Sequence, residues 1–100
     1  MEASEIRPQN ASVKKTIYTR QGEFLCQMLA TMRKKAGLTQ RELAQKLERE
    51  RSFVARLELG ERRLDLIEFF WICRACGANP EVTARHLMHD LEEIQSGDKT

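Results

Sequence analysis

Hydrophobic residues recur at spacings of three and four along most of this chain, which is the pattern of amphipathic helices. A first helix is predicted from Glu23 to the region of Gly37, because glycine often follows the last turn of a helix. Its apolar positions are Leu25, Met28, Leu29, Met32 and Ala36. One side of this helix is therefore expected to pack on a core.

Two short helices are predicted directly after the first. Residues Thr39 to Glu42 form a capping box, in which the hydroxyl and the carboxylate each accept from the other residue's backbone N–H. A second helix begins there, the apolar period breaks over residues 48–50, and a third helix follows and ends at Gly60. The apolar positions of the two helices are Leu43, Ala44, Leu47, Val54 and Leu57.

Two more helices complete the pattern. Asp65 can cap a fourth helix, and Asn79-Pro80-Glu81 gives a fifth helix an N-cap, a proline at its first position and an acid in its first turn. The fifth helix is expected to run to about Ile94. The expected core stripe of the fourth helix is Leu66, Phe69, Phe70, Cys73 and Cys76. No segment predicts a strand, so the fold class is all-α with five helices.

The ends of the chain lack this periodicity. Residues 1–20 contain Pro8, Asn10 and several Ser and Thr residues, and we predict a flexible arm there, followed by one domain over residues 21–95 and a disordered tail over 96–100. A chain of 100 residues can bury one core, and this size disfavours an enzyme. Neither a secretory signal nor a membrane span is found, so a cytoplasmic location is expected.

Charge divides the chain into a basic part and an acidic part. Residues 21–63 hold ten Lys or Arg against six Glu, whereas residues 64–100 hold three Lys or Arg against seven Asp or Glu. Such an asymmetry suggests that the surface of the paired helices meets a polyanion, although a solvated charged face has the same composition.

The capped short helix, the tight break and the arginine-bearing helix match the geometry that places a helix in the DNA major groove. Residues 23–80 also resemble the Cro/C1-type, or XRE-family, helix-turn-helix regulators. The matching stretches are RKKAGLTQRELAQKL, SFVARLELGERRLD and EFFWICRACGANP. This resemblance implies a five-helix lambda-repressor-like DNA-binding domain with a flexible N-terminal arm.

Candidate DNA contacts lie on the second and third helices and in the loop that follows. The residues expected to project from the third helix into the groove and read bases are Arg51, Ser52, Phe53 and Arg56. Alternatively, both arginines bind phosphates and Phe53 belongs to the edge of the core. The resemblance implies phosphate contacts from the start of the second helix and from this loop, at Gln40, Arg62 and Arg63.

The resemblance also implies a structural ion pair between Arg33 and Glu58 that fixes how the first and third helices cross. Two positions depart from the family pattern. Glu48 stands where the turn usually has glycine, so a residue with a Cβ must adopt or avoid a left-handed conformation. Glu50 places an acid where a short hydroxyl residue is common, which suits the helix dipole but repels phosphate.

Cysteine and histidine spacing offers four candidate zinc ligands, in Cys73-x-x-Cys76 and His86-x-x-His89. We predict no metal, because the cysteines lie on the apolar stripe of the fourth helix. Three cysteines without secretory context also predict free thiols. Trp71 falls outside that stripe and marks a contact surface, unless the arm or the fifth helix covers it. The predicted dimer interface comprises Trp71, Leu87, Met88, Leu91 and Ile94.

Together these features predict a homodimeric transcriptional regulator, with repression as the simplest mechanism, that binds an inverted-repeat operator in double-stranded DNA and needs no cofactor. Two alternatives keep the same fold. One is a protein-interaction module that has lost DNA affinity, such as an antiactivator or an adaptor. The other is the DNA-binding antitoxin of a toxin pair. RNA polymerase and a toxin are accordingly further candidate partners.

Overall fold

The computed structural model describes residues 19–97, and their side chains up to residue 94. Over this range the chain forms five helices and no strand: α1 (Arg20–Lys35), α2 (Gln40–Lys46), α3 (Ser52–Leu59), α4 (Leu66–Ala75) and α5 (Pro80–Gly97). The predicted all-α fold is confirmed. None of these helices is long and apolar enough to cross a membrane. The predicted arm and tail fall outside the described residues, except where their inner ends join α1 and α5.

Side-chain caps set most of the helix starts. Thr39 and Glu42 form the predicted capping box of α2, and Asp65 forms another at the start of α4. Asn79 accepts from the backbone N–H of Val82 at 3.0 Å, as expected for the cap of α5. α1 begins about one turn before the predicted start, because the Thr19 hydroxyl accepts from the Gly22 N–H at 3.0 Å.

The core lies where α1, α3 and α5 meet α2 and α4. α3 packs on α1 and α2, and α5 packs on α1 and α4, so every helix has at least one neighbour that covers its apolar side. The buried hydrophobic residues are Leu29, Leu43, Ala44, Phe53, Val54, Leu57, Phe69, Ile72, Cys73 and Leu87.

The stripe of α4 differs from the prediction. Phe69, Ile72 and Cys73 are buried, whereas Leu66 is 75% exposed and Phe70 is 38% exposed. Each residue turns a helix by about 100°, so Phe70 lies well to one side of a face centred on Phe69 and Cys73. Ile72 takes the inward place that the prediction assigned to Phe70.

Candidate DNA-binding surface

α2 and α3 are joined by a tight turn built around Glu48. Its φ is 57°, and no other non-glycine residue of the range 19–97 has a positive φ. The N–H of Glu48 donates to the Gln45 carbonyl at 3.0 Å, and that of Arg49 donates to the Ala44 carbonyl at 2.9 Å. A glutamate therefore occupies the left-handed position in which the family usually has glycine, at a cost of about 1–2 kcal/mol.

One face of α3 is exposed and basic. Arg51, Ser52 and Arg56 are exposed, whereas Val54 and Leu57 are buried on the opposite side. Arg51 is the N-cap residue of α3, and its side chain makes no capping hydrogen bond. The predicted outward orientation of these three polar residues is therefore confirmed.

Phe53 is different: its predicted role as a base reader is wrong, and the alternative that assigned it to the core is confirmed. Its side chain is 1% exposed and belongs to the core. Two guanidinium groups cover the ring: that of Arg49 lies 3.9 Å from its centroid and that of Arg62 lies 4.8 Å from it. Phe53 also lines a cleft together with Ile67 and Trp71 of α4.

Both arginines over Phe53 also bind the carboxylate of Glu68. Arg62 donates to it through two nitrogens, Nη1 to Oε1 and Nη2 to Oε2, each at 2.9 Å, and Arg49 Nη1 donates to Oε2 at 3.1 Å. Glu68 Oε1 also accepts the Asp65 N–H at 3.0 Å. We call Arg49, Phe53, Arg62 and Glu68 the Glu68 cluster; it links the turn, α3, the loop after it and α4.

The ion pair in the Glu68 cluster shifts the pKa values of both Glu68 and Arg62. Hydrogen bonds from Arg62, then from the Asp65 N–H and from Arg49, lower the pKa of Glu68 to about 2 despite its partial burial. The same pairing raises the pKa of Arg62. Both groups are therefore charged at neutral pH. Only the contact with the Asp65 N–H could have been found from sequence, since Glu68 stands three residues after Asp65 as in a capping box.

A second ion pair joins α1 to α3, as predicted. Arg33 donates from Nε to Glu58 Oε2 at 2.7 Å and from Nη2 to Oε1 at 3.0 Å, and its Nη1 donates to the Leu38 carbonyl at 2.9 Å. Each side chain of the pair is only 10% exposed. The Glu58 hydrogen bond raises the pKa of Arg33. This pair fixes the position of α3 against α1.

The candidate phosphate contacts have unequal surroundings. The Gln40 amide donates from Nε2 to Glu58 Oε1 at 2.8 Å, so this side chain is oriented by the Arg33–Glu58 pair. Arg62 is bound by Glu68 and also donates to the Arg63 carbonyl at 2.7 Å. Arg63 is exposed. All three lie at or beyond the ends of α2 and α3.

The five predicted dimer residues are not all exposed. Leu87 is 7% exposed and belongs to the core, so its assignment to an interface is wrong: it covers the inner side of α5. Leu91 is half-buried and packs against the core, and Ile94 is half-buried. Trp71 and Met88 are 55% and 57% exposed.

α4 carries a larger apolar surface than the sequence indicated. Leu66, Ile67, Phe70 and Trp71 are all exposed on its outer side, and we call them the α4 patch. The Phe70 and Trp71 rings meet edge to face, with centroids 4.9 Å apart. Ile67 and Trp71 also line a cleft of about 700 Å³ against the turn. Single exposed apolar residues are ordinary, but a group of four on one helix indicates a contact surface.

The cysteines do not meet the histidines in a common site. Cys73 is fully buried, and burial raises its pKa. His86 and His89 are exposed on α5. Among the residues whose placement is described, no group of three or more candidate ligands could hold a metal ion.

A short helix, a tight turn and a second short helix with exposed arginines define a helix-turn-helix protein. A family model described as a helix-turn-helix domain matches residues 25–87. Among solved structures, an XRE-family like protein from Pseudomonas syringae pv. tomato str. DC3000 is 40% identical with a TM-score of 0.66, over 84% of this chain and 98% of that chain. No curated protein matches the chain. The chain belongs to the XRE family of helix-turn-helix regulators, which makes it a DNA-binding regulatory protein.

Proposed function

We propose that this protein is a cytoplasmic repressor that binds an inverted-repeat operator as a homodimer, with α3 in the major groove. The observation that carries the proposal is the outer face of α3, where Arg51, Ser52 and Arg56 are exposed together. Arginine can donate two hydrogen bonds to guanine O6 and N7, and serine can bond to bases or phosphate. Sequence is therefore read mainly by Arg51, with Ser52 and Arg56 beside it.

Phosphate contacts would position α3 without reading sequence. Arg62 and Arg63 lie in the loop after α3, and Gln40 lies at the start of α2. The excess of Lys and Arg over residues 21–63 supports this role, because neutralised phosphates supply most of the non-specific affinity.

A dimer would place two copies of α3 in half-sites about 34 Å apart, one turn of the DNA helix. The exposed Trp71 and Met88 support a two-fold contact between copies, and Ile94 adds to it at the rim. A dimer that covers promoter DNA represses by blocking polymerase.

Selection of bound duplexes from a random DNA library tests the proposal. The wild type should enrich an inverted repeat. Arg51→Ala should blur one position in each half-site and weaken binding by about 1–3 kcal/mol, because a bidentate base contact is lost. Arg85→Ala is the matched control, since Arg85 is an exposed arginine on α5. Failure of the wild type to enrich any sequence would reject operator recognition.

The α4 patch favours a second candidate function, a protein-interaction module such as an antiactivator or an adaptor. Four exposed apolar side chains on α4 form a surface suited to another protein. In that case DNA binding should be weak at low salt and should not become markedly weaker as salt is raised, because few phosphates would be neutralised.

A further inference from the structure

Arg62 retains a free hydrogen-bonding edge. Its two terminal nitrogens hold Glu68, and Nη1 also binds the Arg63 carbonyl. Arginine has five N–H donors in a rigid planar fork. Within residues 19–97, no acceptor is found for the Nε–H and the second Nη2–H, which point along one edge of the group. The Arg62 side chain is 33% exposed, so a ligand can reach part of it.

Arg33 pairs with its glutamate through the other edge of the guanidinium group. Its Nε and Nη2 both bind Glu58, so the edge that remains open in Arg62 is consumed in Arg33. Arg33 is also 10% exposed, against 33% for Arg62. Arg33 is therefore a structural arginine, whereas the pairing of Arg62 fixes its plane and leaves two parallel donors available.

The rest of the Glu68 cluster holds this arrangement in place. Phe53 is buried beneath the guanidinium of Arg62, and the backbone N–H of Asp65 holds Glu68 Oε1. Arg49 binds the same carboxylate, so Glu68 is shared between two cations. Glu50 lies 4.0 Å from Arg49 and adds a second acid on that side of the cluster.

We propose that Glu68 is a positioning residue for DNA binding: it holds Arg62 so that the Nε–H and Nη2–H edge binds a backbone phosphate bidentately. This inference rests on the proposed function. Arginine and a phosphate match in geometry, and a fork held before binding loses less side-chain freedom than a mobile one. Holding one long side chain in place is worth about 3- to 10-fold in affinity.

The test is the salt dependence of binding to a mixed-sequence duplex, measured with the full chain. This duplex reports phosphate contacts whether or not an operator exists. Glu68→Gln keeps the size of the side chain and an oxygen for the Asp65 N–H, but it loses the charge that pairs with Arg62. We expect about 3- to 10-fold weaker binding and a slope of log Kobs against log salt reduced by up to about 0.9, the value of one phosphate contact. Arg62→Ala removes the contact itself and should weaken binding at least as much.

The double variant tests whether Glu68 affects DNA binding through Arg62. Glu68→Gln should have no further effect in the Arg62→Ala background, because the residue it positions is already gone. Glu61→Gln is the control, since Glu61 is an exposed acid in the same loop, and its slope should equal that of the wild type. Thermal unfolding of each variant separates loss of binding from loss of fold.

A second variant keeps the proposal open to refutation if Glu68→Gln does not fold. Arg62→Lys retains the charge but not the planar fork, and it should bind about 3- to 10-fold more weakly. Wild-type affinity of Arg62→Lys would overturn the proposal. Tighter binding or a steeper slope for Glu68→Gln would also overturn it, since Glu68 would then withhold Arg62 from DNA. If the wild type shows no salt-dependent binding at all, the proposed function itself fails.

Discussion

Phe53 shows how the sequence can leave the role of one residue of α3 open between the surface and the core. It neighbours Ser52, which is exposed, and Val54, which is buried, so periodicity leaves it at the boundary. Its burial follows from its environment, because two guanidinium groups cover the ring and α4 lies beside it. Arg49 lies four residues before Phe53, but Arg62 lies nine residues after it, beyond the end of α3, and only the folded chain brings it over the ring.

The backbone conformation of Glu48 gives a prediction about stability. Its φ of 57° is unfavourable for a residue with a Cβ, whereas glycine adopts it freely. Glu48→Gly should raise the free energy of unfolding by about 0.5–1 kcal/mol, the strain relieved less the extra chain entropy that glycine loses. Urea unfolding measures the change.

Glu48→Ala provides the matched control, because it removes the carboxylate and keeps the Cβ. It should not stabilise the protein. If both variants stabilise it equally, the carboxylate rather than the backbone conformation is the source of the cost.

Among the elements, caps predicted the helix boundaries better than apolar spacing predicted the buried faces. The capping boxes at Thr39 and Asp65 are local features, and both are present as expected. The inward face of α4 depends on where α2 and α5 lie, so spacing alone placed Phe70 inside and left out Ile72. Helix caps can therefore be predicted from sequence, whereas packing against other helices decides which of two adjacent faces of a helix is buried.

The two sides of α5 lead to opposite predictions for neighbouring residues. Leu87 is in the core and Met88 is 57% exposed. Leu87→Ala should lower the free energy of unfolding by about 2–4 kcal/mol, because a cavity replaces buried methyl groups. Met88→Ala should change it by no more than about 0.5 kcal/mol.

Chemical unfolding of both variants checks this assignment, and sedimentation of Met88→Ala additionally tests whether Met88 contributes to a dimer. A large destabilisation by Met88→Ala at concentrations where the wild type is monomeric would contradict the assignment of α5's inner and outer sides.

For the whole molecule, the distribution of charge predicts how stability depends on pH. Glu68 has a pKa of about 2, below its ordinary value of 4.5, so its pairing stabilises the folded state fully above pH 4.5. This contribution is lost as the pH falls from about 4.5 to about 2. Glu68→Gln should cost about 1–2 kcal/mol at pH 7 and should lose less stability than the wild type over the acidic range.

Urea midpoints from pH 7 to pH 2 measure this difference. Glu61→Gln should follow the wild-type curve, because Glu61 lies exposed in the loop. Parallel curves for the wild type and Glu68→Gln below pH 4.5 would show that the carboxylate does not stabilise the folded state through its charge.

Only part of the candidate site could be predicted from the sequence. The exposed residues Arg51, Ser52 and Arg56 follow from one helical period, and the Arg33–Glu58 pair follows from the family resemblance. Glu68 and Arg49 were missed because their partners come from three separate elements, and a charged residue in a capping box or a turn has an adequate local explanation. Long-range pairing carries no signal in a single sequence.

The junction between the first and last helices has a consequence for synthesis. Gln21 Nε2 of α1 donates to the Leu91 carbonyl of α5 at 2.8 Å, across 70 residues. At about 5–20 residues per second, a ribosome needs roughly 4–14 s to add the intervening chain. During that interval the nascent α1 lacks the helix that covers one of its sides. We therefore expect α1 to complete its packing only after α5 has left the ribosome, near the end of synthesis.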